Sequence, residues 1–155
     1  MKNMKKLIYI TLILAATTIV FSSCGKYEEG PAISLLSKTA RITGEWVLDS
    51  HYYNGEEQEL TEYDNVVVEL LKDGTGTLEA PFFGNTTLSI DLEWEFDGDK
   101  ENLRTRIKDP DTGSWQSWEE SKILMLKNNE MWLEREEIGE LSGETVTVKE
   151  IYVAK

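Results

Sequence analysis

From position 44 onward the sequence predicts an all-β domain, an eight-stranded antiparallel up-and-down barrel. Three observations lead there. Apolar residues recur with period two, most cleanly at Leu88, Ile90, Leu92, Trp94 and Phe96, against Thr87, Ser89, Asp91, Glu93 and Glu95. Turn signals such as Asn54-Gly55, Asp73-Gly74, Asp97-Gly98 and Asn128-Asn129 punctuate the alternation. No long helical pattern interrupts it. Sequential strands with such charged solvent faces must hide their apolar faces against one another, and closing the meander does this while removing sheet edges. A two-sheet sandwich satisfies the same alternation and stays open as the alternative.

Taken in order, the first strand spans 43–53 and ends at Asn54-Gly55, the strongest short hairpin signal. The second spans 65–72 and the third returns over 75–80, before Pro81. The fourth, 86–97, is the clearest, and the fifth spans 102–108 with Leu103, Thr105 and Ile107 opposite in phase to Arg104, Arg106 and Lys108. A polar connection over 109–119 leads to strands at 121–127, 130–136 and 144–153. In the last of these, Val146 and Val148 share one phase while Ile151 and Val153 share the other. A β-bulge near Lys149-Glu150 would return both pairs to the interior. The competing expectation is a strand end buried on both faces.

The first 23 residues read as an export signal. Lys2, Lys5 and Lys6 precede an uncharged apolar run over 7–20, and small residues Ser22 and Ser23 follow. Fourteen residues are short of the roughly 20 that a spanning helix needs. Cys24, the sole cysteine, stands where such a leader would be cut, so the domain has no internal disulfide. The chain carries 16 basic and 29 acidic residues, and the leader's three lysines lower the balance from −13 to −16 when removed. A surface this acidic repels phosphate backbones, which argues against nucleic acid as a partner. Five Trp, six Tyr and four Phe are too many aromatics for a disordered acidic tail.

Two resemblances follow from named residues. Phe21-Ser22-Ser23-Cys24 resembles a bacterial lipoprotein box, with Phe21 in place of the usual aliphatic residue. That resemblance implies acylation of Cys24, and anchoring by more than one acyl chain is stable. Gly25-Lys26-Tyr27-Glu28-Glu29-Gly30-Pro31 resembles the signal that sends lipoproteins of Bacteroidetes to the cell surface, so an outer-membrane location is implied. Gly44-Glu45-Trp46 is similar to the signature opening the first lipocalin strand, where the Trp crosses the closed end of the barrel. Ala32-Ile33-Ser34-Leu35-Leu36 fits the helical turn that plugs that end. Ile123-Leu124-Met125-Leu126 and Met131-Trp132-Leu133 also look like small lipocalin-like lipoproteins of Bacteroidetes. Two departures stand out. The chain ends after its eighth strand without a flanking helix, and the Arg that covers the lipocalin Trp has no secure counterpart, Arg135 on the seventh strand being the nearest candidate. The implied organisation is a signal peptide at 1–23, a lipidated tether with a barrel-closing segment at 24–40, and the barrel at 41–155.

Catalytic chemistry finds no residues to carry it. The only histidine, His51, has the phase opposite to Trp46 and Leu48 and is expected to face outward. With Cys24 committed to lipid, neither a Cys–His pair nor a zinc set remains. Asp97-Gly98-Asp99-Lys100-Glu101 lacks the sixth-position Gly and twelfth-position Glu of a helical calcium loop and reads as a turn. No catalytic residue, metal site or cofactor is therefore assigned. The binding expectation falls on loop aromatics, Phe82, Phe83, Trp115 and Trp118, which at a barrel mouth would stack on a glycan or close over an apolar ligand. The plainer account is that they cap the core or begin a strand. Two functions remain: a tethered, non-catalytic binder of a small apolar or amphipathic molecule, and a filled barrel serving as an accessory subunit of a surface complex.

Overall fold

The computed structural model describes residues 35–61, 64–82, 86–139 and 143–155. Among these, a short helix α1 (Lys38–Ile42) precedes nine strands: β1 (Gly44–Tyr53), β2 (Glu56–Gln58), β3 (Val67–Leu70), β4 (Thr75–Pro81), β5 (Thr87–Phe96), β6 (Asn102–Ile107), β7 (Glu119–Leu126), β8 (Glu130–Ile138) and β9 (Thr145–Ala154). Consecutive strands pair antiparallel, and β9 pairs with β1 to close the sheet. β2 faces Tyr53 to His51 of β1, whereas β3 faces Gly44 to Val47. The two share one position in the wall, so nine strands make an eight-stranded barrel.

The predicted hairpin at Asn54-Gly55 forms, with φ of 49° and 83° at the two residues. Both angles are positive, as a type I′ turn requires. Gly44 opens β1 at φ 143°, a backbone angle that side chains disfavour, which gives the glycine before Glu45-Trp46 a local reason. The barrel-closing segment differs from expectation. Residues 32–34 lie outside the described residues, Leu35 and Leu36 are exposed and non-helical, and the helix instead occupies Lys38–Ile42, across the 40/41 boundary. Ser37 caps it, accepting from the Ala40 amide at 3.1 Å.

α1 closes one end of the barrel. Lys38 Nζ donates to the Lys100 carbonyl in the β5–β6 turn, and Arg41 Nη1 donates to the Leu126 carbonyl at the end of β7. The indole of Trp46 is buried there and donates to the Ile42 carbonyl at 2.7 Å. Trp94 does the same to the Leu71 carbonyl at 2.9 Å. Burying an indole with its N–H satisfied contributes apolar area without leaving a polar group unpaired. Ile42, Leu70, Leu103, Leu126 and Met131 complete this end of the core. Along β5 the expected faces hold, with Leu92 and Trp94 buried and Asp91 and Glu95 exposed.

Two phase expectations are corrected. β9 pairs with β8 without interruption, from Glu130 opposite Val153 to Ile138 opposite Thr145, so no bulge lies near Lys149-Glu150. The extra residue sits across the ladder in β1, where pairing with β9 shifts between Leu48 and Ser50 and leaves Asp49 unmatched. That bulge flips the phase of everything after it. His51, opposite Glu150, and Tyr53, opposite Val148, therefore turn inward. A second shift lies between Ile123 and Met125. Residues 123–126 are all buried there, where α1 packs against β7.

Candidate functional site

Between the closed end and the open loops lies a cavity of about 210 Å³. Its floor is apolar, built by Leu70, Leu92, Leu103, Met131 and Leu133 from four different strands. Each stands on the inward phase of its strand, so the pattern that made the barrel predictable also makes this surface dry. One wall is polar. Thr105, Ser121, Gln116, Ser117 and Glu119 line it from β6, β7 and their connection, and Arg135, Glu150 and Tyr152 line it from β8 and β9.

The last three form a connected network. Arg135 donates Nε to Glu137 Oε1 at 2.6 Å, Nη1 to Glu150 Oε2 at 2.8 Å and Nη2 to Glu150 Oε1 at 3.2 Å. The Tyr152 hydroxyl donates to Glu150 Oε2 at 3.1 Å. Burial pulls the Arg135 guanidinium toward neutrality, but the hydrogen bonds and charges of Glu150 and Glu137 more than offset this, and its pKa rises. Burial pushes the Tyr152 phenol up, and the Glu150 carboxylate adds to that. The network therefore holds fixed charge inside the barrel wall, with the fork geometry that arginine supplies.

The predicted site residues occupy other places. Trp115 and Trp118 lie over the outer face of β6. Trp118 covers Arg106 at 4.6 Å and Arg104 at 5.4 Å, and Trp115 covers Arg106 at 5.2 Å. Those cations continue a ladder with β5, in which Lys108 pairs with Asp91, Arg106 with Glu93 and Arg104 with Glu95. Phe82 is exposed where the chain leaves β4, its amide donating to the Thr86 carbonyl. Phe83 and Cys24 lie outside the described residues. None of Phe82, Trp115 and Trp118 lines the cavity. Arg135, the candidate partner of Trp46, sits in the polar wall, while the buried arginine of the closed end is Arg41.

His51, expected outside, is inside, with its ring 4.8 Å from that of Tyr53. Its Nε2 and Arg41 Nε are the buried side-chain polar atoms without a hydrogen-bond partner among the described residues. No group of three or more His, Cys, Asp or Glu side chains gathers there as ion ligands. Glu150 and Tyr152 were missed because Ile151 and Val153 drew attention to the opposite phase. The signal was present, since both share the phase of buried Val148.

No protein-family model matches the chain, and no curated protein matches it. Solved structures do. A lipocalin-like protein from Bacteroides uniformis superposes with a TM-score of 0.53 at 14% identity, over 74% of this chain and 99% of that one. An uncharacterized protein from Bacteroides eggerthii gives 0.49 at 12% identity, over 73% and 98%. The first likeness shows that the barrel is lipocalin-like, as the Gly44-Glu45-Trp46 resemblance implied.

Proposed function

We propose that this chain is a non-catalytic binding protein that holds a small apolar or amphipathic molecule inside its barrel and is tethered to the outer membrane by lipid on Cys24. The cavity carries the proposal. Its volume of about 210 Å³ exceeds the ~150 Å³ at which a dry apolar cavity already takes up benzene. It falls short of the roughly 300–1,000 Å³ of pockets that enclose drug-sized ligands. The occupant is therefore about one ring with a short tail, too small to be a long-chain lipid or a tetrapyrrole. A lipocalin-like barrel is compatible with such a role without dictating it.

Native mass spectrometry of the purified protein, followed by calorimetric titration with small phenyl compounds, tests the binding half. Failure to take up any of them at millimolar concentration would sink it. The filled-barrel alternative then gains, supported by Trp115, which stays exposed on the outer face. Membrane fractionation tests the tether. Cys24→Ala is expected to release the protein or leave it unprocessed, and normal processing with unchanged membrane retention would refute lipid attachment.

A further inference from the structure

We infer that the molecule held in the cavity carries a cationic head, a primary ammonium or its equivalent, and that carboxylates are excluded. This rests on the cavity reading above and adds the chemical class of its occupant. The ionisable groups lining the cavity are Arg106, Glu119, Arg135 and Glu150. Neither cation is free to receive an anion. Arg106 places Nε and Nη2 on Glu93 Oε2 across the outer face, beneath the Trp118 ring. Arg135 is shared between Glu137 and Glu150, so a ligand carboxylate would be the third round one guanidinium. Displacing Glu150 to make room would leave a carboxylate with 15% side-chain exposure unpaired, a costly state.

The acidic side is less committed. Glu119 lies opposite Thr105, on the phase that faces the cavity, and enters no ion pair among the described residues. Glu137 gives one oxygen to Arg135 Nε and has a second to offer. The four lining groups sum to zero, and counting Glu93 and Glu137, which engage the two arginines, brings the local net charge to −2. Glu119 is exposed and Glu137 half-buried, so their pull on an ammonium is screened, while Glu150, at 15% side-chain exposure, lies where opposite charges interact more strongly than in water. The overall charge of −13 acts in the same direction at longer range. The ring fits the leucine and methionine floor, and the ammonium reaches the Glu119 rim.

Three near-isosteric probes separate the claims: 2-phenylethylamine, 2-phenylethanol and 3-phenylpropionate, titrated into the purified full chain at pH 7. The expected order is amine, then alcohol, then carboxylate, with the amine at least about tenfold tighter than the carboxylate. Glu119→Gln is expected to weaken the amine about three- to tenfold and leave the alcohol unchanged. Asp99→Asn, in the closed-end turn, removes one charge far from the cavity and should do neither. If the alcohol binds and the carboxylate equals or exceeds the amine, the head-group inference is overturned and the cavity reading stands. Equal losses from Glu119→Gln and Asp99→Asn would also overturn it, because they would assign the preference to net charge. If no probe binds, the cavity reading itself fails and takes the inference with it.

Discussion

Arg135 carries its charge into a barrel whose preceding inward positions on the same strand are Met131 and Leu133. It is tolerated there because two carboxylates meet it, at side-chain exposures of 23% for Arg135 and 15% for Glu150. Removing one member of such a pair strands the other. Arg135→Ala is expected to destabilise the fold by about 3 kcal/mol, the lower end of the range for buried pairs because both groups still touch some water. Arg104→Ala breaks an exposed pair with Glu95 and should cost less than about 1 kcal/mol. Urea unfolding of the two variants decides it, and comparable losses would mean that the interior network is no stronger than the surface ladder. The sequence named Arg135 only as the nearest candidate to cover Trp46. Alternation states which face a residue takes, not how far along the barrel axis it lies, so an arginine at the right phase was assigned to the wrong layer. Arg41, which fills the closed end, was illegible for another reason: it stands on a five-residue helix that has no periodicity to read.

Most of the strands were legible because two independent signals agreed at them. Period-two patterning set the body of a strand, and a turn dipeptide set its end; β5, between Pro81 and Asp97-Gly98, was predicted within one residue of where it lies. β2 escaped notice because three charged or polar residues, Glu56, Glu57 and Gln58, give no alternation at all. Bulges escaped for a deeper reason. A phase break in one strand is resolved by whichever partner yields, and the partner is a tertiary fact. Here β9 stays regular, with Ile151 and Val153 half-buried on the outer face, while β1 takes the extra residue at Asp49. Deleting Asp49 is therefore expected to turn His51 and Tyr53 outward or to unfold the barrel, whereas deleting Gly113 from the exposed 109–118 connection should be far milder. Retained stability after loss of Asp49 would refute the register given for this strand. β4 offers a second element-scale test. Gly76 lies between Leu70 and Leu92, and a methyl there would run into the Glu69 backbone and meet Leu92 Cδ2 at 3.2 Å. Gly76→Ala is expected to cost about 1–3 kcal/mol by overpacking, read as a lower denaturation midpoint at unchanged m-value. An unchanged midpoint would show that β3 and β4 can part without penalty.

At the scale of the whole molecule, charge and alternation favoured a closed sheet while leaving a sandwich open, and the cavity was not legible. Its volume depends on how Leu70, Leu92, Leu103, Met131 and Leu133 fill the space between strands, and no pattern in the chain encodes that remainder. What the assembled molecule does make predictable is its response to pH. Among the described residues, four carboxylates sit below their ordinary pKa. Asp64 accepts from the Thr61 amide and hydroxyl, Asp73 from the Thr75 hydroxyl and amide, Asp109 from the Thr112 amide, and Glu130 from the Trp132 indole and Lys127. A depressed folded pKa means stability present above the unfolded carboxylate value of about 4 and lost as pH falls below it. Tyr152 has the opposite sign: burial and Glu150 raise its pKa, so its contribution is intact below about 10 and lost as pH climbs past that value. Lys155, raised by Glu45, loses its contribution in the same direction, while Lys38, lowered by burial, works against it. Tyr152 should dominate the alkaline limb, because it is the buried member of the three. A melting-temperature profile is then expected to be flat from about pH 5 to 9 and to fall on both sides. Tyr152→Phe should lose about 1 kcal/mol at pH 7 through its missing hydrogen bond to Glu150, yet decline less than the parent protein above pH 10. If the two proteins decline in parallel on the alkaline side, the phenol is not the group whose ionisation opens the barrel, and the limb belongs to the lysines on its surface.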